Sequence, residues 1–302
     1  MKLPESVRLV EVGPRDGLQN QPQVLSTALK AEFIRRLAQT GLTTIEAIAF
    51  VSPRWIPQMA DHAALFASLE KKPQVTYPVL VPNVQGLEAA LAVGVKDIAV
   101  FVAASETFSR KNTNCSIGES LERVAAVTEK AKSHALGIRG YLSCVAGCPY
   151  EGKVATKKVV QLAETMLALG CDEVSLGDTI GVGTPQQIED LLRAISQQMS
   201  LSRVAVHFHD TYGQALANIL VALQCGVRVI DSAVAGLGGC PYAKGASGNV
   251  ASEDVLYFLN GLGIHTGVNL PALVRVGRWI CDILGQPVMS KVSVAFQGME
   301  DT

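Results

Sequence analysis

Two periods of apolar residues alternate along this chain. Short runs rich in Val, Ile and Ala are separated by longer stretches whose apolar residues recur three and four positions apart. The short runs read as strands buried on both faces, and the longer stretches as amphipathic helices packed over them. Strands are predicted at 9–13, 43–49, 75–81, 97–103, 138–145, 173–178, 204–210 and 229–236. Helices are predicted at 27–39, 61–70, 85–93, 116–134, 156–169, 185–199, 214–224 and 252–262. Gly41, Gly94, Gly137, Gly170 and Gly226 read as helix stops, and Thr184-Pro185 as an N-cap with proline in the first turn.

Eight strand–helix units of roughly 30 residues predict an α/β fold, a closed (β/α)₈ TIM barrel of the usual ~250 residues. An open doubly wound sheet would need a glycine-rich turn after an early strand. Gly181-Val182-Gly183 comes too late for that and lacks the third glycine. No linker interrupts the repeat, so residues 1–302 read as a single catalytic domain. The barrel covers about 7–267 and a C-terminal helical extension about 268–302, with a further helix-like run at 273–284.

Composition narrows the function. Aromatics are 5% of the chain, so aliphatic side chains must fill the core. A net charge of -1 gives no overall attraction to nucleic acid or an anionic membrane, so an anionic substrate would need local cations. No apolar run reaches the ~20 residues that span a bilayer. The N-terminal Met1-Lys2-Leu3-Pro4-Glu5 has no apolar signal core. Seven cysteines, an odd number, point to reduced thiols in a cytoplasmic setting.

The densest chemistry is His207-Phe208-His209-Asp210 at the end of a strand. Alternation turns His207 and His209 to one face, where two imidazoles can meet one metal ion. The competing reading is a pair of hydrogen-bonded core histidines. In a barrel the active site lies at the C-terminal strand ends, and other polar residues gather there. The first strand runs into Gly13-Pro14-Arg15-Asp16-Gly17, placing a cation beside a carboxylate. Glu46 sits within the second strand, with Arg139 as a structural partner if the pair is not functional. Asp178 ends the sixth strand, either as a rim carboxylate or as a turn-capping Asp. After the eighth strand, residues 236–249 hold five glycines around Cys240 and end at Asn249, which reads as a mobile loop carrying a thiol. Asp16, His207, His209 and Asn249 offer two oxygens and two nitrogens with no thiolate. That set suits Mg²⁺ or Mn²⁺, with zinc as the alternative.

Together the segments 10–20, 50–53, 140–152, 175–183, 206–218, 235–249 and 264–270 resemble the 3-hydroxy-3-methylglutaryl-CoA lyases of the DRE-TIM metallolyase superfamily. The resemblance spans nearly the whole chain. Glycine at position 17, where other branches carry glutamate, matches the lyase branch. The run Gln21-Pro22-Gln23 departs from it by lacking a basic residue found in some members. The resemblance implies cleavage of the acyl-CoA to acetyl-CoA and acetoacetate, as in leucine degradation and ketone-body formation. It implies a divalent cation on Asp16, His207, His209 and Asn249, with no organic cofactor. Arg15 would face the reacting oxygens, Cys240 would lie on the catalytic loop, and Glu46, Asp178 and His207 would complete the catalytic set. A homo-oligomer, with a dimer favoured, is implied as well. Condensing relatives such as isopropylmalate and homocitrate synthases share the His-x-His strand but carry an additional C-terminal region. A non-catalytic acyl-CoA-binding barrel would leave the polar cluster without purpose.

Overall fold

In the computed structural model, residues 3–239 and 248–300 are described. Nine parallel strands form one sheet: β1 Arg8–Glu11, β2 Thr44–Ile45, β3 Ile48–Ala49, β4 Val79–Leu80, β5 Asp97–Ala103, β6 Gly137–Ser143, β7 Glu173–Asp178, β8 Val204–Phe208 and β9 Val229–Ser232. Their order is β2-β1-β9-β8-β7-β6-β5-β4-β3. The two end strands, β2 and β3, belong to the same stretch of chain, so the ring closes and the barrel is eight-membered. The predicted strand 43–49 is thus one barrel strand broken at Glu46-Ala47. Ala47 donates to the Pro78 carbonyl, and Pro78 has no N–H to return the bond, so the ladder is interrupted there. The same proline shortens the predicted strand 75–81 to Val79–Leu80.

Around the ring run α1 Thr27–Ala38, α2 His62–Ser68, α3 Val84–Ala92, α4 Glu106–Thr113, α5 Ile117–Ser133, α6 Thr156–Leu169, α7 Pro185–Ser196, α8 Ala215–Cys225 and α9 Ser252–Gly261. Every residue of β8 and β9 is buried, as strands covered by helices outside and by side chains inside require. Thr184 caps α7 as its sequence predicts, in a reciprocal box with Gln187. Gly170 and Gly226 close their helices in the left-handed conformation. Gly137, read as a stop, instead begins β6, and Ala135 at φ 53° makes the turn. The helix α4 has no apolar periodicity and was not predicted; Ser105 caps it.

The extension forms α10 Leu270–Leu284 and α11 Lys291–Glu300. Asp254 on α9 accepts from Ser290 Oγ and from the N–H groups of Lys291 and Val292, which fixes the start of α11. Met289 N–H donates to the Ala235 carbonyl. The extension is therefore tied to the stem of the loop that follows β9.

That stem is gripped by two carboxylates with no solvent exposure. Glu11 accepts from Gly13 N–H, Val234 N–H and Ser252 Oγ, and Glu253 accepts from Ala235 N–H. Ala235 is held at φ 58°, which ends the predicted strand 229–236 early. Burial pushes Glu11 from 4.5 up to about 7 and Glu253 up to about 8, outweighing the donated hydrogen bonds. The folded chain thus keeps protons that the unfolded chain has released. Their contribution is fully present below pH 4.5 and is lost as pH rises through 7 to 8. Between about pH 5 and 8.5, the Tm of the unaltered protein should fall more steeply than that of Glu253→Gln, which stays neutral. Parallel Tm curves would mean that Glu253 is already ionised in the fold.

Candidate active site

Gly13–Gly17 forms a single wide helical turn directly after β1, with Pro14 in its first turn. This turn sets Arg15 and Asp16 side by side at the barrel mouth. Gly17 is required by close approach, since a Cβ there would lie 2.7 Å from the Leu237 Cβ. The turn after β1 and the loop after β9 are thereby pressed together. The returning loop crosses back over β8: Asp210 N–H donates to Gly248 O, and His209 pairs antiparallel with Asn249. Gly238 lies at φ +97°, and a Cβ there would meet Asn249 Nδ2 at 2.6 Å.

These contacts bring four of the sequence candidates together. Ligand atoms of Asp16, His207 and His209 lie within 4.8 Å of one another. Asn249 Nδ2 donates to Asp16 Oδ2 at 2.8 Å and to the Leu237 carbonyl at 3.0 Å. His207 Nε2 is 3.9 Å from Asp16 Oδ2, and the two imidazole rings stand 5.5 Å apart. His209 Nδ1 is buried without a hydrogen-bond partner among the described residues. A buried, unpartnered ring nitrogen beside a carboxylate is costly in an apolar core and is the condition a cation would relieve. The donor set therefore fits a divalent metal ion.

Charge within the cluster is tightly coupled. Burial would raise Asp16, but Arg15 and then His207 hold its carboxyl well below the usual range. Burial would lower His207, yet its bond to Asp231 and the nearby Asp16 raise it. His209 has no carboxylate bonded to it; burial and the neighbouring His207 bring it down to about 4. Arg15 donates through Nε to Glu46 at 2.7 Å and through Nη1 to Asp16 at 2.5 Å. The Tyr141 ring lies 5.3 Å from its guanidinium carbon.

Glu46 and Asp178 are both fully buried. Glu46 holds the Arg15 side chain through Oε2, while its Oε1 has no hydrogen-bond partner among the described residues. Its partner is not Arg139, which pairs with Glu173 and Asp231. Asp178 accepts from the N–H groups of Val182 and Gly183, so it organises the turn after β7. The turn-capping reading describes its position. Cys240 lies outside the described residues.

Asp231, Ser175 and Tyr141 escaped the sequence reading. Asp231 Oδ2 stands 3.2 Å from His207 Nδ1 and accepts from Ser175 Oγ at 2.7 Å. Its signal was available: a carboxylate inside an apolar strand needs a partner, by the logic applied to Glu46.

The cluster lies at one end of a cavity of about 850 Å³, which is also lined by Trp55, Arg110, Lys111 and Arg123. Residues 6–280 match the HMGL-like family model. The chain is 56% identical over 293 residues to the mitochondrial hydroxymethylglutaryl-CoA lyase of Macaca fascicularis, covering 97% of this chain and 90% of that one. It is 55% identical to the cytoplasmic 3-hydroxy-3-methylglutaryl-CoA lyase of Rattus norvegicus, covering 97% and 85%. The crystal structure of hydroxymethylglutaryl-CoA lyase from Pseudomonas aeruginosa superposes with a TM-score of 0.97 at 56% identity, over 99% of this chain and all of that one. A TIM barrel with an Asp-His-His cluster at its mouth, matched in sequence and in structure along nearly its whole length, belongs to the HMGL-like family, among the hydroxymethylglutaryl-CoA lyases.

Proposed function

We propose that the chain cleaves (S)-3-hydroxy-3-methylglutaryl-CoA to acetyl-CoA and acetoacetate. The observation that carries this reading is the convergence of Asp16, His207 and His209 beside Arg15 in one large cavity. The cavity also offers Arg110, Lys111 and Arg123, the local cations that an anionic acyl-CoA needs on a chain of net charge -1. Mg²⁺ or Mn²⁺ is the proposed ion, held by Asp16, His207, His209 and the side-chain oxygen of Asn249. When bound, it supplies Lewis acidity toward the hydroxyl and carboxylate oxygens of the substrate.

The protein's own groups set the rest. Loss of the 3-hydroxyl proton lets the C2–C3 bond break, releasing acetoacetate and moving negative charge onto the thioester as an enolate. Arg15 uses Nε and Nη1 on Glu46 and Asp16, leaving Nη2 to donate to the developing enolate oxygen. Its two carboxylate partners fix the guanidinium before substrate arrives, so little reorganisation accompanies charge transfer. A histidine that holds the ion through one ring nitrogen keeps hydrogen on the other, so the 3-hydroxyl proton passes to another acceptor.

Cys240 follows Gly238 and Gly239, which line the cavity. We assign it the proton delivered to the enolate carbon. Cys240→Ser should keep metal and acyl-CoA binding while losing most turnover, about 10²-fold or more, because a hydroxyl is a far weaker acid than a thiol. Near-normal turnover would leave the loop a lid and require another proton donor.

Among the described residues no helix is long and apolar enough to cross a membrane. A cytoplasmic homo-oligomer, with a dimer favoured, is the proposed assembly; light scattering on the purified chain decides its size. With 3-hydroxy-3-methylglutaryl-CoA and a divalent cation, the protein should release acetyl-CoA and acetoacetate in equal amounts. Condensation of acetyl-CoA with a 2-oxo acid, without cleavage, would contradict the proposal.

A further inference from the structure

We propose that Asp231 is the positioning residue for His207, setting which ring nitrogen faces the metal. The proposal rests on the metal-site reading above. Strands β8 and β9 are neighbours, and their register pairs His207 directly with Asp231. The Asp231 carboxylate is fixed from three sides inside the barrel: Arg139 Nη2 donates to Oδ1 at 2.6 Å, Ser175 Oγ donates to Oδ2 at 2.7 Å, and His207 Nδ1 lies 3.2 Å from Oδ2. Arg139 is held in turn by Glu173 at 3.0 Å, and the other oxygen of Glu173 accepts from Arg8 at 2.6 Å. A column of alternating charge, Arg8, Glu173, Arg139 and Asp231, thus runs up the barrel and ends on His207.

Next to a carboxylate, Nδ1 keeps its hydrogen and donates it. The bare nitrogen is then Nε2, the atom that stands 3.9 Å from Asp16 Oδ2. The two histidines are not equivalent in this respect. His207 is oriented by a side chain that is itself locked, whereas His209 Nδ1 has no partner among the described residues. A purely structural Asp231 would only neutralise buried Arg139. A positioning Asp231 also raises the affinity of the site for metal and fixes the His207 tautomer.

Mn²⁺ titrations of the unaltered protein and of Asp231→Asn, read by electron paramagnetic resonance of free Mn²⁺, separate these roles. Circular dichroism checks that the variant is folded. Asp231→Asn should bind Mn²⁺ about 10- to 100-fold more weakly. Equal affinity in a folded variant overturns the role of Asp231 and leaves the metal site standing. Absence of Mn²⁺ binding by the unaltered protein overturns both. Since the substitution leaves Arg139 with Glu173 as its one carboxylate partner among the described residues and can unfold the barrel, a second reading uses the unaltered protein. In ¹⁵N-histidine-labelled protein saturated with Mg²⁺, the His207 signal, assigned by its loss in His207→Gln, should be that of the Nδ1–H tautomer. An Nε2–H tautomer overturns the proposal.

Discussion

Asp16→Ala is expected to lower cleavage on the order of 10³-fold or more, the largest loss for any single substitution in this protein. Three roles end together when its carboxylate is removed. One ligand atom leaves the cluster with His207 and His209. Arg15 loses the acceptor at Nη1, and Asn249 loses one of the two acceptors that fix its amide. Asp16 is the most solvent-accessible member of the cluster, with 22% of its side chain exposed, so its removal leaves no large buried void. The barrel should stay folded, with divalent-cation binding by calorimetry weakened in parallel with turnover. Full activity with undiminished metal binding would remove Asp16 from the site.

Arg15→Gln is the second large effect. Its guanidinium is aimed by Glu46 and Asp16 before substrate binds, and burial is outweighed by these carboxylates, so it stays charged. The charge it meets forms only as the C2–C3 bond breaks. Loss of such a donor lowers kcat by about 10²- to 10³-fold with little change in KM. Steady-state kinetics across substrate concentration make the distinction. A rise in KM with kcat unchanged would make Arg15 a group that binds the ground state.

Much of this architecture was legible because a parallel barrel writes its strands as continuous apolar runs. The segments 97–103 and 173–178 coincide with β5 and β7 to the residue. Where reading failed, a nonlocal contact decided the outcome. Pro78 breaks a ladder whose partner lies some thirty residues away, and Glu253 bends Ala235 out of β9 from beyond the loop. The metal cluster could be read because His207 and His209 share a strand face, and because Arg15 and Asp16 sit at a glycine-proline break. The partner of Glu46 was misread, since strand parity names a face but not which cation reaches across it. Asp231 was passed over inside an apolar strand, although its burial alone demanded a partner.

The claim that the barrel mouth is a metal-dependent lyase site is tested most directly by anomalous diffraction from crystals of the protein grown with Mn²⁺. One anomalous peak is expected within ligand distance of Asp16, His207 and His209, with the Asn249 side-chain oxygen turned toward it. Protein from the same preparation should cleave 3-hydroxy-3-methylglutaryl-CoA. Cleavage by crystals that carry no metal at this cluster, or metal bound only elsewhere, would contradict the account.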